Sequence, residues 1–348
     1  NMTNCAELNN ILDLAKIVLK DLDTDEDRVI NGCLILNKET YPQQAFENRD
    51  DIFYVVATRL KAVSEYIFND CAHLQFIHCP NIERIAQGHP YKNLNCFSAT
   101  QIKSITFEKL RSIGYKTFQG LPTLINVSLP SCTEVGDSAF QECEGLTSVH
   151  IPLLVFVDAR CFHSCASLAE IDFPLVSMLD EDAFCGCESL TIVEMPNLQV
   201  ARDYAFFNCT NLQTLSFPQL TSLGHSAFSG CESLKSVDFP LLTTAKSEAF
   251  RGCGLEKVDL PLECEGGRAF SGCVELKVAV LRRLWLVEDG CFDGCSRLAK
   301  LVVPLGCRNK FGGFEKQMAM GETDKVQEQL REVGKLVGKM KTMRKMVE

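Results

Sequence analysis

Ala139-Phe140-Gln141-Glu142-Cys143-Glu144-Gly145-Leu146-Thr147-Ser148-Val149-His150-Ile151-Pro152-Leu153-Leu154-Val155-Phe156-Val157 is followed, three residues on, by Cys161-Phe162, where the same pattern begins again. Phe118, Phe140, Phe162, Phe184, Phe206, Phe228 and Phe250 recur every 22 residues without a slip. A period of this size marks a solenoid, in which each short unit buries its apolar face only against its neighbours. Within the unit, Leu146-x-x-Val149-x-Ile151 ends in the apolar–polar alternation of a strand with one buried side. Pro152 stops that strand, since proline cannot donate to a ladder.

Outward from this stretch the frame finds further anchors at Phe46, Phe68, Phe97, Phe270 and Phe292, giving twelve units over residues 46–311. The units of Phe97 and Phe250 are short, with Ile102 and Leu255 arriving early, and the Phe250 unit loses a second residue before Phe270. The Phe68 unit is long, with Gly88-His89-Pro90-Tyr91-Lys92-Asn93-Leu94-Asn95 added before the next anchor. An insertion in one unit of a solenoid is expected to form a loop on one face.

The pattern Ala-Phe-x-x-Cys-x-x-Leu-x-x-Val-x-Leu-Pro is met by Ala139-Phe140…Cys143…Leu146…Val149…Ile151-Pro152. Ala227-Phe228…Cys231…Leu234…Val237…Phe239-Pro240 meets it again. On these residues the chain resembles the BspA-like leucine-rich repeat proteins. The resemblance implies a curved right-handed superhelix with a parallel concave β-sheet. It also implies a role in adhesion or protein recognition, while the fold by itself names no ligand.

Nineteen cysteines would suit a small disulfide-rich secreted domain. Here Cys71, Cys143, Cys165, Cys187, Cys209, Cys231, Cys253, Cys273 and Cys295 each follow an anchor phenylalanine by three residues, so they stack as a column. Coils about 4.8 Å apart bring such residues within reach, but parallel side chains of one column point the same way and do not bridge. The expectation is a row of free, buried thiols, hence a reducing cytoplasmic setting. The alternative is a secreted or cell-surface adhesin whose leader is missing. Asn1-Met2-Thr3, Asn126-Val127-Ser128 and Asn208-Cys209-Thr210 satisfy the glycosylation pattern and would serve that alternative.

The formal charge of -10 disfavours nucleic acid and anionic membrane as partners and favours a basic one. No stretch reaches transmembrane length. Residues 1–45 read as an N-terminal helix and capping strand. In the helix, over 6–22, Leu8, Ile11, Leu12, Ala15, Leu19 and Leu22 share a face; Cys33-Leu34-Ile35-Leu36 is the strand. Residues 312–348 read as a basic C-terminal helix. There Val326, Leu330, Val333, Val337 and Met340 keep the spacing of a coiled-coil seam, for homo- or hetero-association or for capping the last coil.

No P-loop, dinucleotide fingerprint, zincin or hydrolase motif occurs, so no catalytic residue, cofactor or metal ligand is assigned. Cys161-Phe162-His163-Ser164-Cys165 is the most compact group of metal-ligand types. Cys161 falls in the alanine column and Cys165 in the cysteine column, so both should point inward; Cys185 reads as a lone loop thiol. Asp23-Thr24-Asp25-Glu26-Asp27 lacks the glycine and distal glutamate of a calcium loop.

Function should then lie at the strand positions that face away from the core. Along the middle these are His150, Glu170, Asp172, Glu194, Asp238 and Asp259, an acidic strip. Towards the ends they are Tyr54, Val56, Phe76 and Val280. The apolar ends read either as contact sites or as surface beneath the terminal caps. The sequence therefore points to a non-catalytic protein-interaction scaffold, adaptor or assembly subunit, binding through this face, the C-terminal helix, or both.

Overall fold

The computed structural model describes residues 2–17, 22, 26–85, 96–304 and 307–309. The proposed seam from Val326 to Met340 and the insertion at residues 88–95 lie outside these. The molecule is a parallel β-solenoid of about twelve coils. All twelve anchor phenylalanines form one stack, from Phe46 to Phe292, with ring centroids 5.1–5.8 Å apart. The spacing is that of offset-stacked aromatics. The short units keep their place: Phe97–Phe118 and Phe250–Phe270 stack at 5.1 and 5.3 Å. Lost residues are thus absorbed between the columns.

Two strand ladders run beside the stack. In the first, three-residue strands pair in register across coils, as Asn126–Ser128, Ser148–His150 and Glu170–Asp172 do. In the second, two-residue strands such as Phe156–Val157, Met178–Leu179 and Val200–Ala201 pair likewise. The first ladder is interrupted, and Ser236–Asp238, expected as a strand, is irregular there. The second ladder runs unbroken from Phe156 to Glu265.

The anchor turn is built differently. The N–H groups of Ser138, Phe140 and Glu142 donate to Ala159, Cys161 and His163 of the next coil at 2.8–2.9 Å. The two outer donors of this turn, two residues before and two after the anchor, are themselves left-handed. Ser138, Arg160, Asp182 and Tyr204 hold φ of 51–59° in the first such column; Glu142, Ser164 and Gly186 hold 58–74° in the second. Only glycine takes this conformation without steric cost, so the inter-coil bonds hold the others there.

The cysteine column is more than a small apolar filler. All nine predicted thiols donate to the carbonyl of the preceding coil's anchor, as Cys165 Sγ does to Phe140 O, at 3.0–3.2 Å. Cysteine combines a size that the core accepts with a second donor for a carbonyl that already takes one backbone N–H, as Phe140 O does from Cys143 N. Burial pushes the Cys143 thiol up to about 12, and those of Cys165, Cys187, Cys209 and Cys231 well above the usual range. These sulfurs are poor nucleophiles.

The N-terminal helix spans Met2–Ala15, earlier than expected. Lys16 turns left-handed at φ 55°; its N–H returns to Asp13 O at 3.2 Å and that of Ile17 to Leu12 O at 2.9 Å, a Schellman ending. Asn31 Nδ2 also donates to Ala15 O, at 3.0 Å. The strand Cys33–Ile35 pairs in parallel with Tyr54–Val56, as a first strand should. Outside it lies an unexpected antiparallel strand, Arg28–Ile30, joined through Asn31-Gly32 with φ of 50° and 76°. That pair is the natural hairpin turn. Asp27 ties this edge down, its Oδ1 accepting the Tyr41 hydroxyl at 2.5 Å and the Asn37 N–H at 2.9 Å.

Candidate functional site

The exposed side of the first ladder is the surface on which the expected site residues fall. Its N-terminal end is occupied. Ile11, Leu12, Ala15 and Ile17 pack with Cys33, Ile35 and Val56, and Tyr54 and Phe76 press against the same cluster. Val56 is 1% exposed. The helix lies across the strand face, so Tyr54, Val56 and Phe76 sit beneath an element of the chain itself. Of the two readings open for this end, the cap is the one the packing supports. His78, on the same strand as Phe76, is buried there, and burial lowers its affinity for a proton.

Beyond this end the face opens. His150 and Asp172 stand opposite one another in the register of neighbouring strands, with Nδ1 and Oδ2 2.7 Å apart. Glu170 shares the strand with Asp172, and Glu194 lies on the next strand position; all four side chains are exposed. Ile192 shares its strand with Glu194, one period after Glu170, and is 56% exposed. An uncovered isoleucine in a column that is otherwise polar over this stretch differs from the ladder around it. Its signal in the sequence was an apolar residue at a position where Ser148, Glu170, Thr214 and Ser236 are polar.

The strip is not uniformly acidic. Arg282 donates from Nε and Nη2 to both oxygens of Asp259 at 2.6 Å and holds that carboxyl below its usual range. A groove there is lined by Ser236, Asp238, Lys257, Asp259 and Arg282, so its charge is mixed. Val280 pairs in register with Asp259 and is half-buried. The acidic character is concentrated in Glu170 and Glu194, with Asp172 shared by His150 and Asp238 at the mixed groove. A further apolar group missed by the strand-face reading, Leu153, Val155 and Leu175, is exposed near the second ladder.

Cys161 and Cys165 are fully buried, as their columns require. His163 and Cys185, which seemed unrelated along the chain, face one another from adjacent coils, with Asp182 beside them. Among the described residues, no helix is long and apolar enough to cross a membrane.

Comparison with known proteins agrees with this architecture. The family described as BspA type leucine rich repeat region (6 copies) matches residues 39–158, 92–213, 155–277 and 199–309. A leucine-rich repeat protein from Bacteroides ovatus superposes with a TM-score of 0.58 at 24% identity, over 80% of this chain and 68% of that one. One from Eubacterium ventriosum gives 0.41 at 17% identity, over 75% and 69%. No curated protein sequence matches the chain. With the family pattern running through residues 39–309 and its columns in place coil by coil, the chain belongs to the BspA-type leucine-rich repeat family.

Proposed function

We propose that this protein is a non-catalytic recognition scaffold. It takes a basic segment of a partner protein on the strand face between His150 and Asp238. The observation that carries this reading is the exposed Ile192 on the same face as Glu170, Asp172 and Glu194, with the covering helix, among the described residues, confined to the N-terminal end. An exposed apolar residue on a charged face has the form of a binding hot spot, and the acids would speed encounter with a basic partner. Coils about 4.8 Å apart give the strip a length near 20 Å, enough for a short peptide or one face of a helix. The leucine-rich repeat family supports protein binding in general; the scaffold role, the basic partner and a cytoplasmic location are this reading's own.

The test is capture from the native source with the wild-type chain and with a variant carrying Glu170→Gln, Glu194→Gln and Asp238→Asn. The partner should be retained by the wild type, associate at least tenfold more slowly with the variant, and lose most of its salt dependence there. Equal association rates at every ionic strength would remove the acidic strip from recognition. Occupied glycans at Asn126 would favour the cell-surface adhesin, since Asn126 lies on this same face.

A further inference from the structure

We propose that His163, Asp182 and Cys185 form a zinc-binding site on the anchor turns of two adjacent coils. One ligand atom from each of the three lies within 4.8 Å of the other two, and all three side chains are half-buried. The repeat creates this arrangement. His163 and Cys185 each follow an anchor phenylalanine by one residue and are separated by one 22-residue period, so one stands above the other. Asp182 precedes Phe184 by two and belongs to the left-handed column, with φ 57°. Its N–H is fixed to Asp203 O at 3.0 Å.

The donor set selects the ion. Imidazole, carboxylate and thiolate together suit zinc better than magnesium or calcium, which want oxygen alone. Tetrahedral zinc holds its ligands about 3.5 Å apart, so small side-chain rotations close the site, leaving a fourth position for water. Ser164 Oγ lies 3.0 Å from His163 Nδ1 and would orient the ring, leaving Nε2 to coordinate. Glu181 adds negative charge on the same turn, while Asp180 is paired with Arg202 at 3.0 Å.

A cysteine nucleophile is the competing use of the same three residue types. Here the carboxylate of Asp182 stands beside the Cys185 sulfur, the opposite of the positive neighbour a nucleophile needs. A metal removes that obstacle, because coordination displaces the thiol proton to solvent.

The probe is cobalt(II), added to the reduced, folded full-length chain and followed by thiolate-to-cobalt absorption, with zinc as competitor. The expected result is one bound ion per chain, displaced by zinc, and a zinc-dependent rise in melting temperature. Cys185→Ser should abolish the absorption band. His163→Ala and Asp182→Asn should each weaken binding at least tenfold; asparagine tolerates the left-handed backbone of Asp182. Cys307→Ser, at another half-exposed thiol, should change nothing. Circular dichroism of each variant shows whether it is folded. No band at millimolar cobalt, or a band that survives in folded Cys185→Ser, overturns the site.

Discussion

Tyr54 and Phe76 at one end of the strand face, and Glu170 and Ile192 at its middle, occupy equivalent positions of equivalent coils. The first pair is pressed against a helix, while Ile192 stands open. The repeat sets where each side chain points, but an element outside the repeat decides whether water reaches it. An apolar residue on the outward strand positions is thus core at the N-terminal end and surface at the middle.

The sharpest way to break this comparison is to substitute one isoleucine on each side of it. Ile11→Ala, within the helix and 1% exposed, should lower unfolding free energy by about 2–5 kcal/mol. Ile192→Ala should stay within about 0.5 kcal/mol of wild type and weaken only partner binding. Denaturant unfolding of the two variants decides it; equal losses would mean that Ile192 is covered as well.

Acid should separate the regions less strongly. The buried His78 resists protonation in the fold, whereas in the unfolded chain it titrates near the ordinary 6.5. As pH falls below that value the unfolded state gains the proton first, so stability falls until the lowered folded pKa is reached. The slope should not exceed about 1.4 kcal/mol per pH unit. Melting curves from neutral to mildly acid pH should show this slope in the wild type and a shallower one in His78→Gln. Identical slopes would mean that His78 is accessible in the fold.

The smallest effects belong to the anchor turns, which are alike from coil to coil. Glu142→Gly, at φ 61°, should raise stability by up to about 1 kcal/mol. Gly252→Ala, at φ 68° in the same column, should lower it by about as much. Melting temperatures moving in these opposite directions would show that the strain belongs to the column and not to one coil.

The twelve anchors and the nine thiols were legible because stacking writes the same residue at the same offset each time. What lay outside that repetition was harder to read. The helix was expected over 6–22 and ends at Ala15, because its left-handed stop is a lysine, a residue that gives no such signal. The strand Arg28–Ile30 was missed although Asn31-Gly32 announces a hairpin. Val56 could be read as a contact site or as capped, because its covering helix lies some forty residues away in sequence. The acidic strip looked uniform because Arg282 reaches Asp259 from the following coil. His163 and Cys185 were read along the chain, where they are distant, instead of down the stack, where they meet.

The thiol-to-carbonyl bonds all run one way. Cys165 completes Phe140 and Cys187 completes Phe162, each across 25 residues, and Cys273 completes Phe250 across 23. The anchor N–H is also received by the later coil, as Phe140 N is by Cys161 O. In a chain emerging from the ribosome an anchor's carbonyl can accept its own coil's backbone N–H, as Phe140 O does from Cys143 N. Its thiol donor and the acceptor of its own N–H come only with the next coil. Each new unit finishes the one before it and leaves its own anchor waiting, so the molecule grows with a single open front that advances towards the C-terminus.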